Sequence, residues 1–266
     1  MSAIRKLVIS AFFLLFLMPI VSAQEPEQSG WSMADDYWGK AAMEKARQKA
    51  QKAHGSGINT FIQAERLEYR SNEGAPQFLW DGQGWIGGDR NKFWLKSEGE
   101  YDFDEGAFED AEVQALWSRA FSRYFDVQAG VRHDFAPGTD RTYAVLGLNG
   151  LAPYWFEVDA ALFLSDKGDV FARAEVEYEF LLTQRLILQP RAELNISFQD
   201  ALENDLASGL STLETGARLR YEIKREFAPY IGVSWERALG DTADFSRANG
   251  EDPGSLSFVA GVRLWF

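Results

Sequence analysis

Cysteine is absent from all 266 residues, so neither a disulfide nor a thiolate metal site is available to this chain. Histidine is nearly absent, with only His54 and His133, and methionine is scarce at four residues. Positive charge is in deficit: 27 Lys and Arg face 40 Asp and Glu, for a formal net charge of −13. A chain this acidic has no basic stripe with which to displace counterions, which excludes nucleic acid as a partner. After residue 23 there is no long apolar run, so no later segment approaches the about 20 apolar residues that a membrane-spanning helix needs.

The one apolar run stands at the start. Arg5 and Lys6 precede Leu7–Ile20, and Val21-Ser-Ala23 offers a small-x-small cleavage site, so residues 1–23 read as a secretory signal peptide. Its removal leaves 25 basic against 40 acidic residues and only two methionines, Met33 and Met43. Residues 24–57 form a second compositional zone. Gln24–Gly30 is a polar lead, and Lys40–His54 is Ala-rich with helix formers throughout and Gly55 and Gly57 as a stop. Asp35 and Asp36 are placed to cap that helix at its positive end.

What is abundant is aromatic and alternating. Nine Trp and twenty Phe coexist with a mean hydropathy of −0.28. A barrel with a polar lumen and an apolar exterior gives that combination, because the two faces cancel in the average. From Phe61 the hydrophobic period is two, over twelve segments near 61–70, 79–87, 91–103, 109–119, 124–133, 141–149, 154–164, 169–180, 185–198, 211–224, 228–238 and 255–266. The last is the clearest: Leu256, Phe258, Ala260, Val262, Leu264 and Phe266 share one face, while Arg263 on the other would be costly in lipid. Residues 58–266 are therefore expected to be an all-β, antiparallel transmembrane barrel of about twelve strands, preceded by a short helical segment. An edge strand of a soluble sandwich is the plainer alternative for any one segment.

Connection lengths offer a separate check. Those after the even-numbered segments are short, whereas Ser71–Phe78, Gln199–Gly209 and Leu239–Gly254 fall on the opposite side. Outer-membrane barrels sort their loops this way, long outside and short towards the periplasm. Leu239–Gly254 reads as a polar, turn-rich loop, and Tyr124, Phe125, Tyr154, Trp155, Phe227 and Tyr230 read as an interfacial girdle near the short turns.

The inward face is dense in both signs of charge. Its carboxylates include Glu98, Glu100, Asp102, Glu175, Glu177 and Glu193, interleaved with Arg66, Arg132, Arg173, Arg191 and Arg218. Two uses compete: a salt-bridge network that holds a narrow barrel in shape, and a cation path lined by carboxylates. Met33, Met43 and His54 form the only soft ligand set, suited to copper(I). Met43 and His54 stand eleven residues apart, about 16 Å along a helix, too far to chelate one ion within it. The basic helix has opposite charge to the lumen carboxylates, which favours docking at the periplasmic mouth. His133-Asp134 invites a lipid-acting enzyme, but no nucleophile motif accompanies it, and a headgroup-level histidine is the plainer reading.

The barrel segment resembles the copper-resistance protein B family of outer-membrane proteins. Glu65-Arg-Leu-Glu-Tyr-Arg70, Trp80-Asp-Gly-Gln-Gly-Trp-Ile-Gly-Gly-Asp89, Leu95-Lys-Ser-Glu-Gly-Glu100 and Gln128-Ala-Gly-Val-Arg-His-Asp134 carry the resemblance, in that order and spacing. It runs from about Asp35 to Phe266, and Asp36-Tyr-Trp to Lys52-Ala-His-Gly55 is similar to the piece before the barrel in that family. The resemblance implies a non-enzymatic protein of the outer membrane, its N-terminal segment in the periplasm, that binds or moves copper ions in copper resistance. Lipid, copper ions and a periplasmic copper-binding protein are the implied partners. One departure is plain: the Met- and His-rich stretch usual after the signal peptide has shrunk to Gln24–Ala34, with Met33 as its only Met and no His. The competing expectation is a passive narrow-pore or structural barrel with no copper role.

Overall fold

Period-two alternation becomes thirteen strands in a computed structural model that describes residues 32–54, 57–71, 76–135, 140–201, 206–250 and 252–266. The expected signal peptide and polar lead lie outside these residues. The strands are β1 (Asn59–Ser71), β2 (Pro76–Gly87), β3 (Asn91–Asp102), β4 (Ala107–Ala120), β5 (Phe125–Asp134), β6 (Arg141–Ala152), β7 (Phe156–Ser165), β8 (Val170–Glu177), β9 (Phe180–Leu181), β10 (Leu186–Ser197), β11 (Gly209–Tyr221), β12 (Phe227–Ala238) and β13 (Gly254–Trp265). Each pairs antiparallel with its neighbour, β8 and β9 succeed one another along β10, and β13 returns to β1, closing twelve positions. The seam runs from Gln63 opposite Trp265 to Ser71 opposite Phe258. Beyond it, Ile62 and Phe266 exchange backbone hydrogen bonds of 3.0 and 2.8 Å. Closure leaves no open edge, which is what lipid demands of a sheet.

Burial in this barrel is inverted relative to a water-soluble domain. Arg66, Glu68, Glu112, Arg191 and Arg218 are buried, while Ile62, Phe93, Leu95, Val131, Ile231, Val233 and Phe258 are exposed. Exposed rings collect at both ends of the wall: Phe121, Tyr124, Tyr154, Trp155, Phe180 and Phe227 by the short turns, and Tyr69, Phe78, Phe103, Phe108, Phe135 and Phe198 by the longer loops. Two belts flanking an apolar band match the two interfaces of a bilayer. On the outer face the Trp80 indole lies over Gly99, where a Cβ would come within 2.3 Å of the ring, so only glycine fits beneath it. A charge on the band is expected to be costly. Val262→Asp should lower barrel stability by about 1 kcal/mol, below the about 2–4 kcal/mol of a basic residue at mid-depth, because Val262 stands opposite Pro229 near the short-turn end of β12, read as a fall in the urea midpoint of refolded protein in lipid.

Four expectations need correction. Tyr230 is not in the girdle; it is buried in the lumen, its ring packed over Gly261 on the neighbouring strand. The expected strand 169–180 breaks at Tyr178 and Glu179, opposite Pro190 of β10, which has no N–H to give the ladder. The loop at Leu239–Gly254 contains a helix, Gly240–Asn249, which packs by Thr242 and Ala243 and ends at Gly250 in the left-handed region (φ 84°). Its Thr242 hydroxyl accepts a hydrogen bond of 3.1 Å from the Ala207 N–H in the β10–β11 loop. Asp35 and Asp36 do not cap the basic helix. They lie inside a further helix, α1 (Ser32–Trp38), before α2 (Lys40–His54).

The chain divides into two compact units after His54. In the first, α1 turns into α2 through Gly39, whose φ of 82° suits glycine and whose N–H bonds to the Asp35 carbonyl at 2.9 Å. The Arg47 guanidinium of α2 then pairs with the Asp35 carboxylate of α1. The helix of the β12–β13 loop is α3 (Gly240–Asn249).

Candidate functional site in the barrel lumen

Alternation alone would send Glu65 and Arg66 to opposite faces of β1. The register slips there against both neighbours, and the bulge turns both side chains inward. Arg66 reaches Asp81 of β2 at 3.1 Å and Glu98 of β3 at 2.6 Å, while Glu65 forms an ion pair with Arg263 of β13 at 3.1 Å. A second slip, between β3 and β4, leaves Glu109 as the extra residue and brings Glu109 and Asp110 together onto the wall of one cavity.

From β1 the charges join into one network. Arg70 binds Glu68, Glu100 and Glu214 at 2.9–3.0 Å, and Arg218 forks onto Glu68 at 2.8 and 3.1 Å. Arg191 binds Glu175, Glu177, Glu193 and Glu214 at 2.5–3.4 Å. Arg173 binds Glu98, Glu112 and Glu193 at 3.0–3.5 Å, and Arg132 binds Glu112 and Asp134 at 2.7 and 2.6 Å. Guanidinium is suited to this, because its planar fork serves several carboxylates at fixed angles. Six arginines (66, 70, 132, 173, 191, 218) thus hold ten carboxylates (68, 81, 98, 100, 112, 134, 175, 177, 193, 214). The excess is acidic, so the lumen keeps an attraction for cations after its internal pairing.

Opposite the densest charge stands an apolar slab. Trp94, Leu116, Tyr143, Val145 and Phe163 are buried together, with Trp85 and Phe171 against them. Arg132 lies 5.2 and 4.9 Å from the Tyr143 and Phe163 rings, and Arg173 lies 5.7 Å from Phe163. The rings take the guanidinium faces while the carboxylates take their edges.

Two adjoining cavities lie within this network. The one towards the longer loops has about 420 Å³ and is lined, among the described residues, by eight carboxylates (Glu98, Glu100, Glu109, Asp110, Asp134, Glu193, Glu214, Glu236) against two arginines, Arg132 and Arg173. The one towards the short turns has about 130 Å³ and is lined by Glu65, Asp81, Lys96, Glu98, Glu112, Glu157, Asp159, Arg173, Glu175 and Glu177 among polar neighbours. Glu98, Phe163 and Arg173 line both.

Of the carboxylates expected from the sequence, Glu98, Glu100, Glu175, Glu177 and Glu193 are brought into this lumen. Asp102 serves a turn instead, its carboxylate accepting from the Asp104 and Glu105 N–H groups at 2.6 and 2.9 Å. Arg70, Asp81, Glu112 and Glu214 belong to the network and were not singled out by spacing. Glu214 could have been, since it shares a polar face with Arg218 and Arg220. Glu112 is harder to find, because Leu116 also points inward on its strand. His133 is outside the lumen, at the long-loop rim, with Nδ1 3.0 Å from the Thr142 hydroxyl and Nε2 3.3 Å from Asp140. Met33 is exposed on α1, Met43 is half-buried on α2, and the His54 side chain lies outside the described residues. Among the described residues no group of three or more His, Asp or Glu side chains is arranged to hold a metal ion.

Comparison with known proteins agrees with this architecture. The model of a family described as "Copper resistance protein B precursor (CopB)" matches residues 58–266. The Copper resistance protein B homolog of Pseudomonas syringae pv. tomato is 47% identical over 213 residues, covering 80% of this chain and 72% of the relative. Copper resistance protein B of Escherichia coli is 46% identical over 213 residues, covering 80% and 71%. Among solved structures, the NanC porin superposes with a TM-score of 0.50 at 15% identity, covering 77% of this chain and 99% of the porin, a likeness of fold alone.

Proposed function

This chain belongs to the copper resistance protein B family, and from that premise we propose that it contributes to copper resistance by admitting copper ions to its acid-lined lumen at the outer membrane. The observation that carries this reading is the charge of the larger cavity, eight carboxylates against two arginines among the described residues. Such a cavity concentrates cations from solution before any ligand set is needed. Copper is cargo here, not a resident cofactor, and the protein is not an enzyme. Carboxylate oxygens hold copper weakly compared with imidazole or thioether, which suits passage better than storage. Met33, Met43 and His54 would add softer ligands before the barrel, and a periplasmic copper-binding protein is the partner this reading requires at the short-turn end.

Orientation follows from the loops. The longer connections and α3 face outward, and the short turns face the periplasm. The absence of cysteine makes this directly testable. A single cysteine at Asp244, exposed on α3, should react with an impermeant maleimide on intact cells, and one at Asp89, in the β2–β3 turn, should not. The opposite pattern would reverse the assignment.

The test of the function is a copper titration of the refolded mature protein, with and without residues 24–57, beside the copper tolerance of a strain lacking the chain. Binding by the barrel alone and altered tolerance are the expected results. No binding by either form and unchanged tolerance would leave a passive barrel.

A further inference from the structure

The two cavities meet at a wall in which one side chain, Arg173, is not the sole arginine of any carboxylate it binds. Arg173 projects from β8 and crosses to Glu98 on β3, five positions away around a ring of twelve, and to Glu112 on β4. With Glu98 and Phe163 it forms, among the described residues, the wall common to both cavities. Each carboxylate it binds already has a second arginine at equal or shorter distance: Glu98 has Arg66 at 2.6 Å, Glu112 has Arg132 at 2.7 Å and Glu193 has Arg191 at 2.5 Å. Removing Arg173 therefore leaves none of its three partners without an arginine. That sets it apart from Arg66, the arginine of Asp81, and from Arg191, the arginine of Glu175.

We propose that Arg173 is the gate of the lumen, a tethered cation seated where a permeating cation must pass. Its guanidinium fills the site between cavities with the same charge as the cargo, and the three carboxylates that hold it are those a passing ion would use. A cation that accumulates in the larger cavity competes for Glu98 and Glu193. When it wins, Arg173 swings onto the remaining carboxylates or the Phe163 face, and the ion reaches Glu98 and Glu112 on the other side. Exchange of one cation for another keeps the carboxylates neutralised throughout, which avoids exposing bare charge in a narrow, low-dielectric space. This inference rests on the lumen being the ion path, as proposed above.

The test is Arg173→Gln in the full mature chain, reconstituted in planar bilayers, first with potassium chloride and then with copper(II) chloride. The expected result is a folded, heat-modifiable barrel whose potassium conductance is at least threefold above the parent, with a reversal potential shifted towards cation selectivity. Parent-level conductance in a folded variant would overturn the gate. A variant that never reaches the heat-modifiable form would overturn it as well, since Arg173 would then be structural. The two salts separate the claims. If the variant passes more potassium while neither protein binds or passes copper(II), the gate stands and the copper reading falls. If the parent passes copper(II) and the variant gains nothing for either ion, the copper reading stands and the gate falls.

Discussion

Replacing Arg191 with methionine is expected to cost the barrel about 3–5 kcal/mol, the usual penalty for leaving a buried charge without its partner. Arg191 is the most heavily committed side chain in the lumen, 2% exposed and bonded to Glu175, Glu177, Glu193 and Glu214. Its loss falls unevenly. Glu193 keeps Arg173, and Glu214 keeps Arg70. Among the described residues Glu177 then keeps only the amide of Gln189 at 2.7 Å, and Glu175 loses its arginine altogether. Methionine preserves most of the side-chain volume, so the change tests charge and not packing. The measurement is the temperature at which the variant loses its heat-modifiable migration, with Arg173→Gln as the comparison. A melting temperature for Arg191→Met equal to that of the parent would show that water reaches Glu175 and Glu177 freely and that the network is not the frame of the barrel.

The contrast between these two arginines was not visible before the fold. Alternation placed both on the inward face, and that much was legible, because a period of two in β8 and β10 leaves charged residues no other place to go. The twelve segments were found to within a few residues for the same reason, and the loop lengths sorted themselves by side. Partnership across the lumen is a different kind of information. Arg70 meets Glu214 across 144 residues of sequence, and no local spacing encodes that. Bulges were also invisible. An inserted residue at Glu65 or Glu109 shifts the phase of everything beyond it, and period counting absorbs the shift as noise. The inward apolar residues Trp94, Leu116, Tyr143 and Phe163 blur the alternation further, because they mimic lipid-facing positions. Helix α3 escaped notice because Gly-Asp-Thr-Ala-Asp-Phe-Ser-Arg-Ala-Asn has almost no apolar stripe; Ala243 and Phe245 are its only apolar residues before Ala248. The soft ligands Met33, Met43 and His54 were legible as residue types, and their placement in a separate unit matches the break in composition near residue 57.

Neutralising Asp110 and Glu236 together is expected to reduce copper(II) accumulation by the barrel with little loss of stability. Both line the larger cavity, both are exposed to it, and among the described residues neither has an ion-pair partner. They therefore contribute field without contributing structure, unlike Glu98 or Glu214. One unit charge about 8 Å from a divalent ion acts on it with about 1 kcal/mol at the dielectric constant of water, and about 4 kcal/mol at an effective value near 20. An open cavity of this kind lies towards the watery end. Physiological salt, with a Debye length of about 8 Å, reduces each contribution to somewhat under half of that. Two charges together then amount to about a three- to fivefold fall in accumulation, growing towards about thirtyfold as salt is removed. The salt dependence identifies the cause, since a field effect must grow as screening weakens, whereas loss of a coordinating ligand does not. Asp110→Asn with Glu236→Gln should be assayed for copper(II) uptake into proteoliposomes at two ionic strengths, beside the urea midpoint of the refolded barrel. An uptake defect that is the same at both ionic strengths would make these two residues ligands. No defect at either, in a folded barrel, would remove the acidic cavity from the path of the ion.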